Sequence, residues 1–197
     1  MANDTERLAD GAVSLRPWAA QDAEALVRLG DDREIWLNLR ERFPHPFTLP
    51  AAQLWLADQA ASGAPPTSLA IVHGDALAGG LLLRRREEVH HVCADLTFWL
   101  GRPYQGHGIA LPAVRLATAY AFERLGLVRV QAFVFDWNPA AARVLERAAY
   151  RHEGRLRSYV QKDGRLGDAL LLARLRDDPE PRTSPREKRR PSTVAPV

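Results

Sequence analysis

The chain has 197 residues, of which 46% are hydrophobic and 26% charged, with a formal net charge of +3 and a single cysteine, Cys93. This is the composition of one soluble globular domain of ordinary size. It excludes an internal disulfide and any Cys-x-x-Cys metal cluster, and no apolar run approaches the ~18–20 residues that span a bilayer. The opening residues, Met1-Ala2-Asn3-Asp4-Thr5-Glu6, lack the basic-then-apolar order of a secretory signal, so the cytoplasm is the expected compartment.

In chain order, Ala12 to Pro17 reads as a first strand, and Pro17 and Asp22 open a helical stretch through Leu29. Asp31 and Asp32 can cap a second helix through about Arg42. Three prolines between Phe43 and Pro50 bar regular helix, because each lacks a donor and restricts its predecessor. Helical spacing resumes at Gln53, and Ser62 to Thr67 is a loop. Strands follow at Leu69–His73, Leu77–Leu83 and His91–Leu100, the first two around Gly74-Asp75. Leu111 to Leu125 has helical periodicity and ends at Gly126, a residue suited to a helix C-terminus. Val128 to Phe135 alternates as a half-buried strand, and Pro139 to Ala149 is a shorter helix. Two last strands, Arg155–Gln161 and Ala169–Leu175, flank the turn Lys162-Asp163-Gly164.

The ordered domain is expected over residues 1–176, with a disordered Pro/Ser-rich basic tail over 177–197. That tail holds five basic side chains (Arg182, Arg186, Lys188, Arg189, Arg190) against four acids (Asp177, Asp178, Glu180, Glu187). Its net charge is therefore only +1, which favours a solvated tail over a nucleic-acid site, although Lys188-Arg189-Arg190 could touch RNA.

Chemistry concentrates in Asp95-Leu-Thr-Phe-Trp-Leu-Gly-Arg-Pro-Tyr-Gln-Gly-His-Gly-Ile-Ala110. Here a strand gives way to a glycine-containing turn and then a helix. Such a turn aims backbone N–H groups at a helix N-terminus, where the dipole also favours an anion. Gly106 and Gly108 let the backbone approach a bulky ligand, and Pro112 falls in the first helical turn, where a missing N–H does least harm. The inference is phosphate binding. A dinucleotide Gly-x-Gly-x-x-Gly loop is excluded by Leu111, and a Gly-Lys-Ser/Thr loop is absent.

Gln105-Gly-His-Gly-Ile-Ala110 resembles the pyrophosphate motif of the GNAT acyltransferases, Gln/Arg-x-x-Gly-x-Gly/Ala, without a gap. Trp137-Asn138-Pro-Ala-Ala-Ala-Arg143 to Tyr150 resembles that family's Asn-helix ending in an aromatic residue. Asp95 to Leu100 is similar to the acidic-and-aromatic strand of its RimJ/RimL-like branch, and Arg40-x-x-Phe-Pro-His-Pro-Phe-Thr48 to that branch's acceptor-side loop. The resemblance spans about Val13 to Arg176.

The resemblance implies an α/β (α+β) GNAT fold: a mixed, mostly antiparallel central sheet, flanked by helices, in which two parallel strands splay apart. It implies acetyl-CoA as acyl donor, no metal, and direct attack by a primary amine, either a protein N-terminus or a small molecule. Gln105, Gly106, His107, Gly108, Ile109 and Ala110 would hold the pyrophosphate, with His107 contributing its backbone N–H more than its ring. Backbone groups of Phe98, Trp99 and Leu100 would pair with the pantetheine arm, and one donor of that strand would face the thioester carbonyl. Asn138 would cap its helix and also bond the cofactor, and Arg143 would either reach its phosphates or lie in solvent. Asp95 is the candidate base, acting through water, or else a structural carboxylate paired with an arginine. His90 and His91 are expected to take no catalytic part, and Tyr150 and Tyr159 to lie in the core or the acceptor pocket.

Ala141 stands where the branch often carries Ser, and Leu145 where many members carry Tyr. The resemblance therefore supplies no side-chain acid for the leaving thiolate. Ala149 replaces the usual glycine before the aromatic and is expected to tolerate unusual backbone geometry less well. Two other functions stay open here: a non-catalytic acyl-CoA-binding module, and a ribosome- or RNA-associated protein acting through the tail. Either a monomer or a homodimer fits.

Overall fold

A computed structural model describes residues 8–61 and 63–179. The remaining tail residues, 180–197, and residues 1–7 lie outside the described part. Eight strands form one sheet in the order β1-β2-β3-β4-β5-β6-β8-β7. They are β1 Leu8–Asp10, β2 Val13–Pro17, β3 Ser68–His73, β4 Ala76–Arg85, β5 Cys93–Leu100, β6 Arg129–Phe135, β7 Arg151–Lys162 and β8 Arg165–Leu175. Every neighbouring pair is antiparallel except β5–β6.

The helices cover both faces of the sheet because the strands alternate between two cores. On β5, Ala94, Leu96 and Leu100 join the core beneath α4 (Ala110–Glu123) and α5 (Pro139–Arg147). Trp99 joins the other core, built on α1 (Ala23–Gly30), α2 (Arg33–Leu37) and α3 (Leu49–Ala61). The crossover through α4 is what permits the parallel pair. No helix among the described residues is long and apolar enough to cross a membrane.

The structure departs from the sequence reading at several boundaries. The second helix stops at Leu37 rather than near Arg42. Asn38 Nδ2 donates to the Glu34 carbonyl (2.8 Å), the acceptor its own N–H would use in an α-helix, and that N–H bonds Ile35 instead (3.0 Å). α3 begins four residues earlier than its periodicity suggested, at Leu49, because Pro50 falls in the first turn, where its missing N–H is harmless. Strand β5 starts at Cys93; His90 sits in a single 3₁₀ turn and His91 ends it, both exposed. β7 runs from Arg151 rather than Arg155, with register shifts at His152/Gly154 and at Leu156/Val160. Asp177 and Asp178 are among the described residues, and Asp178 accepts from the Leu175 N–H (2.9 Å) and pairs with Arg151 (3.3 Å).

Ala149 adopts the left-handed conformation, φ +66°, that glycine would adopt. The Tyr150 N–H donates to the Leu145 carbonyl (2.9 Å) and the Ala149 N–H to the Glu146 carbonyl (3.0 Å), the paired bonds of a Schellman C-cap. The buried side chains of Tyr150 and Leu145 hold this cap against the core. Packing thus imposes a conformation that alanine alone disfavours.

Candidate active site

Strands β5 and β6 pair over only three positions, Cys93↔Arg129, Ala94↔Val130 and Asp95↔Gln131. Past Asp95, β5 stays on β4 up to Gly79↔Leu100 and β6 stays on β8 up to Phe135↔Ala169. The two strands separate there, and a cleft of ≈ 250 Å³ lies against the end of β5, walled by α2, the β5–α4 turn and the start of α5. Its walls bring together Phe98, Trp99, Leu100, Gln105, Gly106, Ala110 and Asn138 of the expected site. Asp95, His107, Gly108, Ile109 and Arg143 are not among its lining residues.

The wide end of the cleft meets the N-terminus of α4. Gln105 Nε2 donates to the Leu100 carbonyl (2.9 Å), which staples the turn to the end of β5 and takes one backbone acceptor away from any ligand. Gly106 and Gly108 both have positive φ, +78° and +77°, and a Cβ on either would meet nothing within 4 Å. Backbone conformation, not crowding by the protein, therefore demands glycine at both. Ile109 is the N-cap of α4, is 2% exposed and anchors the turn in the core, but no side chain caps the helix. The loop N–H groups and the first turn of α4 remain available to an anion. His107 and Arg143 are exposed.

Across the cleft, the Asn138 side chain accepts from the Ala141 N–H (3.2 Å) as the N-cap of α5, which occupies its oxygen and leaves its amide nitrogen to face the cleft. Ala140, Ala141 and Val144 complete that wall. Tyr150 takes no part: it is 3% exposed, and its hydroxyl lies 2.7 Å from Thr118 Oγ1, which itself donates to the Val114 carbonyl (2.7 Å). Burial pushes its pKa upward, so it keeps its proton.

The side of the cleft formed by α2 carries groups the sequence reading did not assign. Arg102 Nε donates to Asp32 Oδ2 (2.5 Å) and its Nη2 lies 3.0 Å from Glu34 Oε2, so α2 is tied to the β5–α4 turn across the mouth of the cleft. The β7–β8 hairpin closes the neighbouring side. Lys162 lies over the Trp36 ring (3.7 Å) and pairs with Glu41 (3.0 Å), and Arg33 pairs with Asp163.

Asp95 is 2% exposed and fully engaged. Arg84 Nη2 donates to Oδ2 (2.6 Å), while Arg86 Nε and Gln131 Nε2 donate to Oδ1 (2.9 Å each). Arg40 adds an ion pair at 3.5 Å. Burial alone would raise its pKa; the hydrogen bonds from Arg86, Arg84 and Gln131 outweigh that and hold it below the ordinary carboxylate value. Strand register explains the cluster, since Arg84 and Gln131 are the direct cross-strand partners of Asp95. The sequence signal was the alternation Arg84-x-Arg86, but the partner strand could not be read from it.

A sheet wedge opening onto a glycine turn and a bare helix N-terminus is the geometry the phosphate motif called for, and known proteins share it. A family model described as an acetyltransferase (GNAT) domain matches residues 13–151. The Bacillus subtilis protein named Probable N-acetyltransferase YjcK is 39% identical over 87 residues, 44% of this chain, so the matched stretch spans about half of that relative (48%). A Bacillus licheniformis protein named Uncharacterized N-acetyltransferase p20 is 27% identical over 185 residues, 87% of this chain and 94% of its own. Among solved structures, Mycobacterium smegmatis RimJ in complex with CoA-disulfide superposes with a TM-score of 0.73 at 23% identity, covering 83% of this chain and 82% of that one. The ribosomal L7/L12 alpha-N-protein acetyltransferase RimL, in complex with coenzyme A, does so with 0.75 at 18%, covering 86% and 98%. These two likenesses show the fold, and the domain match, which spans the wedge and the glycine turn, places the chain in the GNAT acetyltransferase family.

Proposed function

We propose that the protein is an acetyl-CoA-dependent N-acetyltransferase that acts on a primary amine, with residues 1–176 forming the transferase domain and the cytoplasm its place of action. The separation of β5 and β6 immediately in front of the α4 N-terminus carries this reading. The residues present fit the cofactor: two glycines with positive φ leave open space before the turn, and the helix start has no internal cap. The Gln105–Ala110 turn would hold the pyrophosphate by its N–H groups, and the splayed edge of β5 at Phe98 and Trp99 the pantetheine arm. Asn138 would contribute its free amide nitrogen. Arg143 stands at the exposed rim, where it would meet phosphate only by reaching over α5.

Acetyl-CoA supplies the acetyl group as a thioester. The protein aligns it with the amine, which can remove several kcal/mol of the barrier. Asp95 cannot readily collect the amine's proton while three arginines and Gln131 occupy its oxygens, so we assign it the task of ordering those arginines. The proton passes to water, and the thiolate, with a pKa near that of free cysteine, leaves without a protein acid. That the relatives are named N-acetyltransferases gives the non-catalytic alternative no support.

Acetyl-CoA binding by calorimetry, followed by thiol release against a panel of amines, tests the proposal. Saturable binding with release for one amine class is the expected result. Absence of binding would overturn it.

A further inference from the structure

Beyond the inner end of the cleft, three guanidinium groups share one carboxylate. Arg84 lies near the end of β4 and Arg86 is the first residue beyond it, and both reach the Asp95 carboxylate. Arg40 reaches the same place from the turn after α2. Among the described residues, Asp95 is the one carboxylate ion-paired with any of the three. It is 2% exposed, whereas the arginine side chains are 46%, 49% and 35% exposed. Each guanidinium carries about five donors, and a carboxylate accepts about four hydrogen bonds, so most of these donors are unused and turned outward. Burial, and then the charge of Arg84, hold the pKa of Arg40 below its ordinary value. One arginine would satisfy Asp95; three cations packed together repel one another.

The floor beside them is aromatic. Tyr159 stacks on Phe133 at 5.6 Å and 22°, and Arg86 lies 5.9 Å above the Phe133 ring. The position relative to the cleft follows from strand geometry. Asp95 and Trp99 share a face of β5, and Trp99 lines the cleft. Four residues of strand separate them by about 13 Å, with Thr97 midway. An acceptor whose amine stands at the inner end of the cleft therefore brings the next few atoms of its skeleton against the guanidiniums.

We propose that Arg40, Arg84 and Arg86 form an acceptor subsite for a carboxylate carried a few atoms from the attacking amine, so that the preferred acceptors are acidic. This rests on the transferase reading above and names its substrate class. The subsite does two things. It fixes the acceptor by charge-assisted hydrogen bonds, and its surplus positive field favours the neutral, nucleophilic form of the amine over the ammonium. The carboxylate can belong to a free amino acid or to the second residue of a peptide; the chemistry is the same.

The test uses the full chain at saturating acetyl-CoA with acceptors matched except for the carboxylate: β-alanine against β-alaninamide, and C-terminally amidated tripeptides with Glu or Gln in second place. We expect kcat/KM about tenfold or more higher for the acidic member of at least one pair, carried by KM. The pair that shows it identifies the source of the carboxylate. High salt and Arg40→Gln should erase most of the preference, and Arg40→Lys should restore part of it, with acetyl-CoA affinity unchanged. Arg40 makes the longest of the three contacts to Asp95, so its removal endangers the fold least. Turnover of acidic and neutral members at equal efficiency would overturn the proposal and leave the transferase reading standing. Should none of these acceptors turn over, calorimetry with succinate decides. Binding weakened about tenfold by Arg40→Gln supports the subsite, and absent or variant-independent binding refutes it.

Discussion

Asp95→Asn separates a structural from a catalytic carboxylate. Asparagine keeps the shape and one acceptor oxygen, so Gln131 or one arginine can still bond it. What disappears is the negative charge that Arg84, Arg86 and Arg40 surround at 2.6, 2.9 and 3.5 Å. Breaking a buried ion pair costs 3–5 kcal/mol, but these arginines are partly exposed and can turn to water, so the expected loss is about 2–3 kcal/mol. For a chain of this size that lowers Tm by about 4–12 °C. The pH dependence is decisive. Because the folded-state pKa is depressed, the stability due to ionised Asp95 is fully present above the unfolded-state pKa of about 4 and is lost as pH falls through the lower folded value. The Tm gap between wild type and variant should therefore stay constant from neutral pH to about pH 5 and close only in stronger acid. Differential scanning fluorimetry across pH reads this directly. An unchanged Tm at neutral pH, combined with loss of turnover toward a good acceptor, would refute the structural assignment and return Asp95 to the role of base.

Three other substitutions probe the scaffold. Ala149→Gly should stabilise the protein by about 1 kcal/mol, because glycine accepts φ +66° without a Cβ penalty; a thermal melt showing no gain would refute the strain. Gly108→Val should weaken acetyl-CoA binding about tenfold or more, since a β-branched residue resists φ +77°; normal affinity by calorimetry would remove the turn from the cofactor site. Gly79→Ala places a Cβ 2.1 Å from the Trp99 carbonyl oxygen and should cost about 1–3 kcal/mol by pushing β5 away, lowering both Tm and acetyl-CoA affinity together. An unaltered melt would show that β5 yields without consequence.

The sequence disclosed those parts of the site whose chemistry is local. The glycine turn proposed for phosphate is a contiguous run, Gln105 to Ala110, and the Asn138 cap precedes its helix by one residue, so the turn and the cap were legible as local structure. The arginine cluster was not, because it joins Arg40, Arg84, Arg86 and Gln131 to Asp95 through the register of β4, β5 and β6. Register depends on which faces are buried, a property of the whole sheet. Leu8–Asp10 was missed for a different reason. Three residues show no alternation, and this segment is a strand only because β2 pairs with it. Ala149 misled in the opposite sense: its intrinsic preference argued against a left-handed cap, and the packing of Tyr150 and Leu145 overrode it.

The two outer strands of the sheet bear on how the molecule behaves in a crowd. One, β1, offers three residues among those described, a short template for a second copy to pair with. The other, β7, is long enough to invite growth, but its two register shifts and the positive φ of Ser158 break its row of hydrogen-bonding groups into short pieces. Exposed Arg151, His152, Glu153, Arg155 and Arg157 add charge along the same margin. Among the described residues, both margins thus offer little to edge-to-edge pairing.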